Sequence, residues 1–303
     1  MGTGVRIGDR SSQSLGTRLH NRFRVWTRAA RRLPDFVVIG ANASGTTSFY
    51  WNLVRHPTIL PTATKEVHFF DRHWQDGLGW YRAHFPLAHT RARHITGEAT
   101  PSYLFRPGVA ARIADTVPRA RLIALLRDPV DRAYGHYHKR LRKGSIALPF
   151  GDVIEAELEA LASGPITRET FEARVRQRDA QRGTPVEARD LTRWDGTPFL
   201  LRGLYAFQLE EWRQHFPAEQ LGIWPSEAYY ADPFGLLREV ARDFLGQADW
   251  QPERYESRNQ GHGYPPMDPG IRRTLREFFR PYNESLYALL GRDLGWEARD
   301  TAG

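Results

Sequence analysis

The stretch that most constrains the fold of this chain runs from residue 35 to residue 50, with the sequence DFVVIGANASGTTSFY. A short apolar run, Phe36 to Ile39, predicts a buried strand that stops at Gly40. A loop of small residues follows, and hydroxyl residues then open a helix that we predict from Thr46 to Arg55. Backbone N–H groups at such a turn point at one spot, where the helix dipole favours an anion. The stretch therefore predicts a phosphate-binding loop.

Length and composition are those of one large domain. At 303 residues the chain is long enough for a substantial core, and its hydrophobic fraction of 41% is ordinary for a globular protein. No stretch approaches the roughly 18–20 apolar residues of a membrane span, and no apolar core near the N-terminus predicts a signal peptide. The chain has no cysteine, which excludes disulfides and thiolate metal sites. We expect a cytoplasmic protein that binds no metal.

The net charge of +8 is concentrated in an N-terminal leader. Residues 1–34 contain eight arginines and one aspartate, a net of +7, which leaves about +1 for the rest of the chain. Within the leader, residues 1–33, apolar side chains recur at helical spacing between the arginines. A basic amphipathic helix of this kind can lie on an anionic surface. The alternatives are a poorly ordered tail and a helix packed on the body. We expect no nucleic acid as a partner.

Beyond the loop, apolar runs alternate with helical patterns. The runs that predict strands are 58–61, 94–97, 121–126 and 220–224, and the predicted helices are 77–85, 107–117, 130–143, 203–216, 233–245, 269–279 and 283–290. This alternation predicts an α/β domain, residues 34–300, with a mostly parallel sheet flanked by helices. Two charged helical segments within residues 145–197 interrupt it. We interpret them as a helical insertion with a poor core, lying over the active face as a lid or a homodimer contact.

The spacing Gly40-x4-Gly45 resembles a Walker A loop, but Thr46 stands where that motif has lysine. A strand followed by G-x-x-x-x-G-T-T-S resembles instead the 5′-phosphosulfate loop of sulfotransferases that use 3′-phosphoadenylyl sulfate (PAPS). The stretches 97–105, 200–212 and 264–296 are also similar to bacterial members of this family. The resemblance implies a P-loop-like sulfotransferase fold, with PAPS as the donor and its desulfated form, PAP, as the product. It also implies that a hydroxyl or amine of a saccharide or small molecule accepts the sulfuryl group.

The resemblance places the donor site in separate parts of the chain. The loop residues expected to hold the phosphosulfate are Gly40, Ala41, Asn42, Ser44, Gly45, Thr46, Thr47 and Ser48. Arg127 follows the predicted strand 121–126, and its planar fork suits the 3′-phosphate because it can bind two oxygens. Further donor-site candidates are Arg132, Gly135, Arg258 and Gly261.

The run K-E-V-H-F-F-D at residues 65–71 resembles that of the heparan-sulfate class, in which the glutamate is the catalytic base. Glu66 is therefore expected to take the proton of the acceptor. His68 is the alternative base, since histidine titrates closer to neutrality. Asp71 and Tyr103 are expected to contact the acceptor.

Some positions depart from the family pattern. Ala43 stands where the loop usually carries its catalytic lysine, Gly135 where a serine is usual, and residues 260–262 read Gln-Gly-His instead of Lys-Gly-Arg. The chain has only three lysines against 40 arginines, and Lys65 is the candidate to supply the missing cation. Ala43 is either natural or engineered. The enzyme is expected to have low activity unless another side chain supplies the charge of the missing lysine. The alternatives are a PAPS- or PAP-binding pseudoenzyme and a P-loop nucleoside or sugar kinase.

Overall fold

The computed structural model describes residues 23–88, 93–180, 196–258 and 263–297. Five parallel strands form one sheet in the order β2-β3-β1-β4-β5. Their bounds are β1 Phe36–Gly40, β2 Ile59–Leu60, β3 Ile95–Ala99, β4 Arg121–Leu126 and β5 Leu221–Pro225. The predicted α/β class and the parallel sheet are confirmed.

Helices cover both faces of this sheet. Along β1, Val37 and Ile39 belong to one apolar cluster and Phe36 and Val38 to another, as expected when a parallel strand is buried on both sides. The α-helices are α1 Thr46–Leu53, α2 Phe69–Arg72, α3 Gly77–Arg82, α4 Val109–Thr116, α5 Pro129–Arg142, α6 Phe150–Leu161, α7 Arg168–Ala180, α8 Tyr205–His215, α9 Ser226–Ala231, α10 Pro233–Glu239 and α11 Pro269–Leu290.

The strand order determines where a ligand can bind. From β1 the chain first builds β2 and β3 on one side and then crosses to β4 and β5 on the other. In open α/β sheets, ligands bind beyond the carboxyl ends of the strands, at the point where the order reverses. The loops that follow Gly40 of β1 and Leu126 of β4 both open at this point, because β1 and β4 are adjacent and parallel.

The end of the chain differs from the prediction of two closing helices. One continuous helix, α11, contains Pro281 in its interior. A proline removes a helical hydrogen bond and disfavours the preceding turn. Phe279, Asn283 and Leu286, on either side of it, are nevertheless buried against the body. Contacts with the rest of the domain therefore stabilise the helix across a proline, a residue that usually ends or kinks a helix.

The described part of the insertion is a structural part of the domain, so the expectation of a poor core is wrong. Phe150 of α6 and Phe171 of α7 are buried in the same apolar cluster as side chains of α5 and α11. Glu157 of α6 is buried and accepts hydrogen bonds from the N–H groups of Phe199 and Leu200, at 2.8 and 2.9 Å. Burial raises the pKa of Glu157 to about 8, despite these bonds. A lid or homodimer role for the insertion stays a prediction.

Part of the leader lies against the body. Arg24 Nε donates a hydrogen bond to the carbonyl of Ala83 at 2.7 Å, and Arg31 Nη1 donates one to the carbonyl of Phe85 at 2.6 Å. This part of the leader is therefore packed on the body, which is one of the alternatives given above. Residues 1–22 lie outside the described part of the chain. Among the helices that the structure describes, none has the length and apolar character needed to cross a bilayer.

Candidate active site

The loop after β1 forms one wall of a cleft of about 660 Å³, which we call the donor chamber. Gly45 caps α1 with a φ of 77°, and a Cβ at this position would meet the hydroxyl of Tyr230 at 2.9 Å. Ala43 shares this left-handed conformation, with a φ of 67°. Loop residues that line the chamber are Asn42, Ala43, Gly45, Thr46, Thr47 and Ser48. Gly40, Ala41 and Ser44 are buried beneath them.

The two serines of the loop have different surroundings. Ser48 Oγ accepts a hydrogen bond from the N–H of Arg258 and donates one to its carbonyl, both at 2.7 Å. This hydroxyl therefore ties a distant segment to α1. Ser44 Oγ is buried and has no hydrogen-bond partner within the described ranges. The donors left for an anion are chiefly the loop N–H groups and the hydroxyls of Thr46 and Thr47.

Arg127 reaches the loop from the neighbouring strand. Its Nη1 donates a hydrogen bond to the carbonyl of Ala43 at 3.3 Å, and its guanidinium lies 6.0 Å from the centre of the Tyr230 ring. Gly135 of α5 makes room for it, since a Cβ at this position would lie 2.9 Å from Nη1. The structure thus brings the loop, Arg127 and Gly135 together, and it gives a physical reason for glycine at position 135.

Other predicted donor residues lie in different environments. Arg258 lines the donor chamber, but its guanidinium also pairs with Glu256 at 2.9 Å and lies over the Trp51 ring. Arg132 is fully buried, donates to the carbonyl of Phe199, and lines neither chamber. A role for Arg132 in binding the 3′-phosphate is therefore wrong, because burial in the core removes it from the cleft. Gly261 lies outside the described residues.

A second chamber of about 350 Å³ adjoins the first, and we call it the acceptor chamber. Residues that line both chambers form what we call the junction: Asn42, Glu66, Lys139 and Lys143. Further cationic side chains around the acceptor chamber are Arg72, Arg106, Arg140, Arg178 and Arg202. Because cationic side chains outnumber carboxylates in this lining, the chamber favours an anionic occupant.

Glu66 is the carboxylate of the junction. Lys65 Nζ lies 3.1 Å from its Oε1, and His68 Nε2 lies 3.6 Å from its Oε2. The contact with His68, helped by the charge of Lys65, holds the pKa of Glu66 well below its usual range despite partial burial. Glu66 and His68 both have positive φ, 61° and 57°, a strained conformation that clusters at functional sites. Glu66 is thus held ionised, with 41% of its side chain exposed.

Asp71 and Tyr103 are not in the acceptor chamber, so direct contact between either side chain and the acceptor is wrong. Asp71 is fully buried behind His68 and accepts hydrogen bonds from His68 Nδ1 at 3.1 Å and from Ser102 Oγ at 2.8 Å. Tyr103 is also buried, and its hydroxyl donates to Glu98 at 3.2 Å. Burial lowers the pKa of His68, but its hydrogen bond to Asp71 and its contact with Glu66 outweigh burial and raise the pKa. Asp71 therefore orients His68.

Sequence reasoning missed the two lysines of the junction. Lys139 lies on α5 and Lys143 follows its last residue, and neither carries a recognised motif. Lys65, the cation that the sequence predicts, has a side chain that is only 9% exposed and lines neither chamber. The composition contains one signal that could have found them. In a chain with 40 arginines, each of the three lysines is a candidate for a specific role. All three lie at the junction or against its carboxylate.

A sulfotransferase domain matches residues 33–257, which is most of the chain and includes the loop, Glu66 and Arg127. This chain belongs to the sulfotransferase family. In the described ranges, this sulfotransferase has no group of three or more histidine, aspartate or glutamate residues arranged to hold a metal ion.

The sulfotransferase is similar to proteins from distant organisms. It is 29% identical to the membrane-associated sulfotransferase kil1 of Dictyostelium discoideum and 32% identical to heparan sulfate glucosamine 3-O-sulfotransferase 3B1 of Mus musculus, each over 88% of this chain. The chain spans 67% and 66% of the lengths of these two relatives. A sulfotransferase of Alicyclobacillus acidocaldarius has a similar structure, with a TM-score of 0.64 and 28% identity, over 88% of this chain and 99% of that one.

Proposed function

We propose that this sulfotransferase moves a sulfuryl group from PAPS to a hydroxyl or amine of an anionic saccharide or small-molecule acceptor. The observation that carries the proposal is the contact between Arg127 and the carbonyl of Ala43, which joins the two predicted phosphate-binding elements in one chamber. A nucleotide with phosphate groups at two ends needs two separate anion sites in one cleft. The volume of the donor chamber suits such a ligand.

In this proposal the loop and α1 hold the phosphosulfate, while Arg127 binds the 3′-phosphate. Loop N–H groups and the dipole of α1 stabilise negative charge on the 5′ side. The guanidinium of Arg127 offers two parallel donors to the other phosphate. Tyr230 and Tyr264 line the same chamber and supply apolar surface for the rest of the nucleotide.

Glu66 is the base of the proposed reaction. As the acceptor oxygen or nitrogen forms its bond to sulfur, its proton passes to the carboxylate of Glu66. The bond between sulfur and the 5′-phosphate oxygen breaks, and its electron pair stays on that oxygen. Because the pKa of Glu66 is low, proton transfer becomes favourable only late, once bonding to sulfur has acidified the acceptor. His68 is better suited to support Glu66 as a protonated side chain than to act as the base itself. Its pKa is raised, and Asp71 accepts a hydrogen bond from its Nδ1.

The charge of the acceptor chamber supports an anionic acceptor. Its lining contains seven arginine and lysine side chains, with Glu66 as the carboxylate among the described residues that surround it. One of the two relatives described above is named for action on heparan sulfate, which is an anionic saccharide. Cytoplasmic location and a homodimer stay predictions that neither the geometry nor the relatives test.

A catalytically weak PAPS- or PAP-binding protein is the second candidate, because Ala43 puts no cation on the loop. The kinase alternative lacks support in the geometry. Asp128, the carboxylate that follows β4, is buried and bound to Arg276 at 2.7 Å, so it is not placed to hold magnesium beside a phosphate.

Calorimetric titration with PAP and with ATP tests the donor, and transfer from ³⁵S-labelled PAPS tests the reaction. We expect PAP to bind more tightly than ATP, and label to appear on a heparan-sulfate-derived oligosaccharide. A desulfated oligosaccharide of the same length is the matched control for acceptor charge. Tighter ATP binding would contradict the donor assignment. Tight PAP binding without transfer to any acceptor or to water would favour the pseudoenzyme.

A further inference from the structure

The proposed reaction needs positive charge where the bond to the 5′-phosphate oxygen breaks, because the electron pair of that bond remains on the oxygen. The side chains that the loop presents to the donor chamber are all uncharged: Asn42, Ala43, Thr46, Thr47 and Ser48. In the proposed complex Arg127 binds the 3′-phosphate, at the end of the nucleotide away from the breaking bond. A cation for the leaving oxygen therefore has to come from another element.

The place for that cation is the junction. The donor and the acceptor occupy adjoining chambers, so the sulfuryl group crosses between them where the linings overlap. The cationic side chains in this overlap are Lys139 and Lys143. Lys65 is excluded, since it lines neither chamber and its Nζ is bound to Glu66.

Lys139 and Lys143 differ in their surroundings. They are four residues apart near the end of α5, and both line the junction. Lys143 is exposed beyond the end of the helix, whereas Lys139 is partly buried. Lys139 and Glu66 line the same two chambers. Burial lowers the pKa of Lys139, and the charge of Glu66 opposes that effect. A partly desolvated cation stabilises developing charge more strongly than one in bulk water.

We propose that Lys139 is a catalytic residue that stabilises the negative charge of the departing 5′-phosphate oxygen at the junction. This inference rests on the proposed sulfuryl transfer from PAPS. Lys139 acts there as a fixed ammonium group that neither gives nor takes a proton. Glu66 receives the proton of the acceptor on the other side of the sulfuryl group. The side chain from α5 thus provides what the uncharged loop does not.

Removal of the charge tests the role of Lys139 in turnover. We expect Lys139→Met to lower kcat by about 10²–10³, as for loss of one transition-state donor, with little change in PAP affinity. Lys139→Arg should retain more activity than Lys139→Met. Lys143→Met removes the same charge from the junction and should lower kcat less than Lys139→Met does. Equal effects at the two positions, or an unchanged kcat in Lys139→Met, would overturn the assignment.

A lysine introduced at position 43 of the loop tests whether it can replace the charge that Lys139 supplies from α5. Ala43→Lys should raise kcat far more in the Lys139→Met background than in the wild-type chain, because only the former lacks a cation at the leaving oxygen. A double-mutant cycle measures this coupling. Equal increases in the two backgrounds would overturn the proposal.

Chemical labelling gives a readout that does not depend on turnover. With three lysines in the chain, acetylation by a limiting amine-reactive ester can be followed at each of them by mass spectrometry. We expect PAP, but not adenosine, to protect Lys139, since only PAP brings a 5′-phosphate to the junction. Failure of PAP to bind at all would refute the proposed donor. Binding and turnover by the wild type without protection of Lys139 would refute this inference alone.

Discussion

Gly135→Ala is the change whose effects on binding and on stability should run in opposite directions. A Cβ at this position would lie 2.9 Å from Arg127 Nη1, which is closer than such contacts normally come. The atom it meets is the far end of a flexible side chain, so the guanidinium can move away. Within the helix interior, alanine is favoured over glycine by roughly 0.5–1 kcal/mol. We therefore expect α5 and the fold to remain intact while Arg127 leaves its place beside the loop.

The magnitude follows from what Arg127 contributes. Hydrogen bonds to charged groups are worth about 1.5–3 kcal/mol, so displacement of the guanidinium should weaken PAP binding by about 10- to 150-fold. Alanine is a cleaner test than serine, because a hydroxyl at position 135 can itself donate to a phosphate.

Calorimetric titration with PAP, together with urea unfolding of each variant, measures both effects. Gly79→Ala is the matched control: its Cβ would meet Arg28 Cδ at 2.9 Å, also on a helix, but outside both chambers. That variant should bind PAP as the wild type does. Unchanged PAP affinity in Gly135→Ala would refute the reasoning, since Arg127 would then not be needed in its observed position.

Three further changes test other parts of the site and of the core. Arg127→Lys keeps the charge but loses the planar fork, so PAP affinity in the same titration should fall, and an unchanged affinity would argue against two-oxygen binding. Glu66→Gln should lower kcat by about 10²–10⁴ with PAP affinity unchanged, whereas an undiminished kcat would assign the base elsewhere. Burial raises the pKa of Glu98 from 4.5 to about 7, despite hydrogen bonds from Thr100 and Tyr81. Its contribution to the free energy of unfolding is therefore present below about pH 4.5 and lost as the pH rises through 7. Glu98→Gln should reduce the difference in urea midpoint between pH 5 and pH 8, and an identical difference would contradict the assignment.

The parallel sheet was predictable because its central strands are apolar on both faces. The run 36–39 and the run 121–126 can be buried only between two layers, and their adjacency brings the loop and Arg127 to one edge. The insertion was less predictable. Its charged surface conceals Phe150 and Phe171, whose burial depends on partners far away in the sequence. Pro281 predicts two closing helices instead of one for the same reason, since the contacts that stabilise α11 are tertiary.

Within the site, residue type was predictable but side-chain direction was not. Asp71 and His68 are close in the sequence, yet Glu66 and His68 have positive φ values and the side chain of Asp71 faces inward. No local pattern predicts these φ values, because non-glycine residues seldom adopt them. Lys139 was missed because its place at the junction depends on how α5 crosses the sheet. The scarcity of lysine was visible in the sequence, but only the geometry shows which lysine faces the cleft.

The location of the three lysines affects how this protein can be handled. Surface attachment through amines, as on a carbodiimide-activated sensor chip, relies on lysines scattered over the exterior. Here two of the three side-chain amines line the cleft, and the third is nearly inaccessible. Immobilisation through a lysine side chain would therefore attach the molecule at the cleft and block access to it. An affinity tag or an introduced surface cysteine would leave the cleft open, and the absence of native cysteine makes the latter selective.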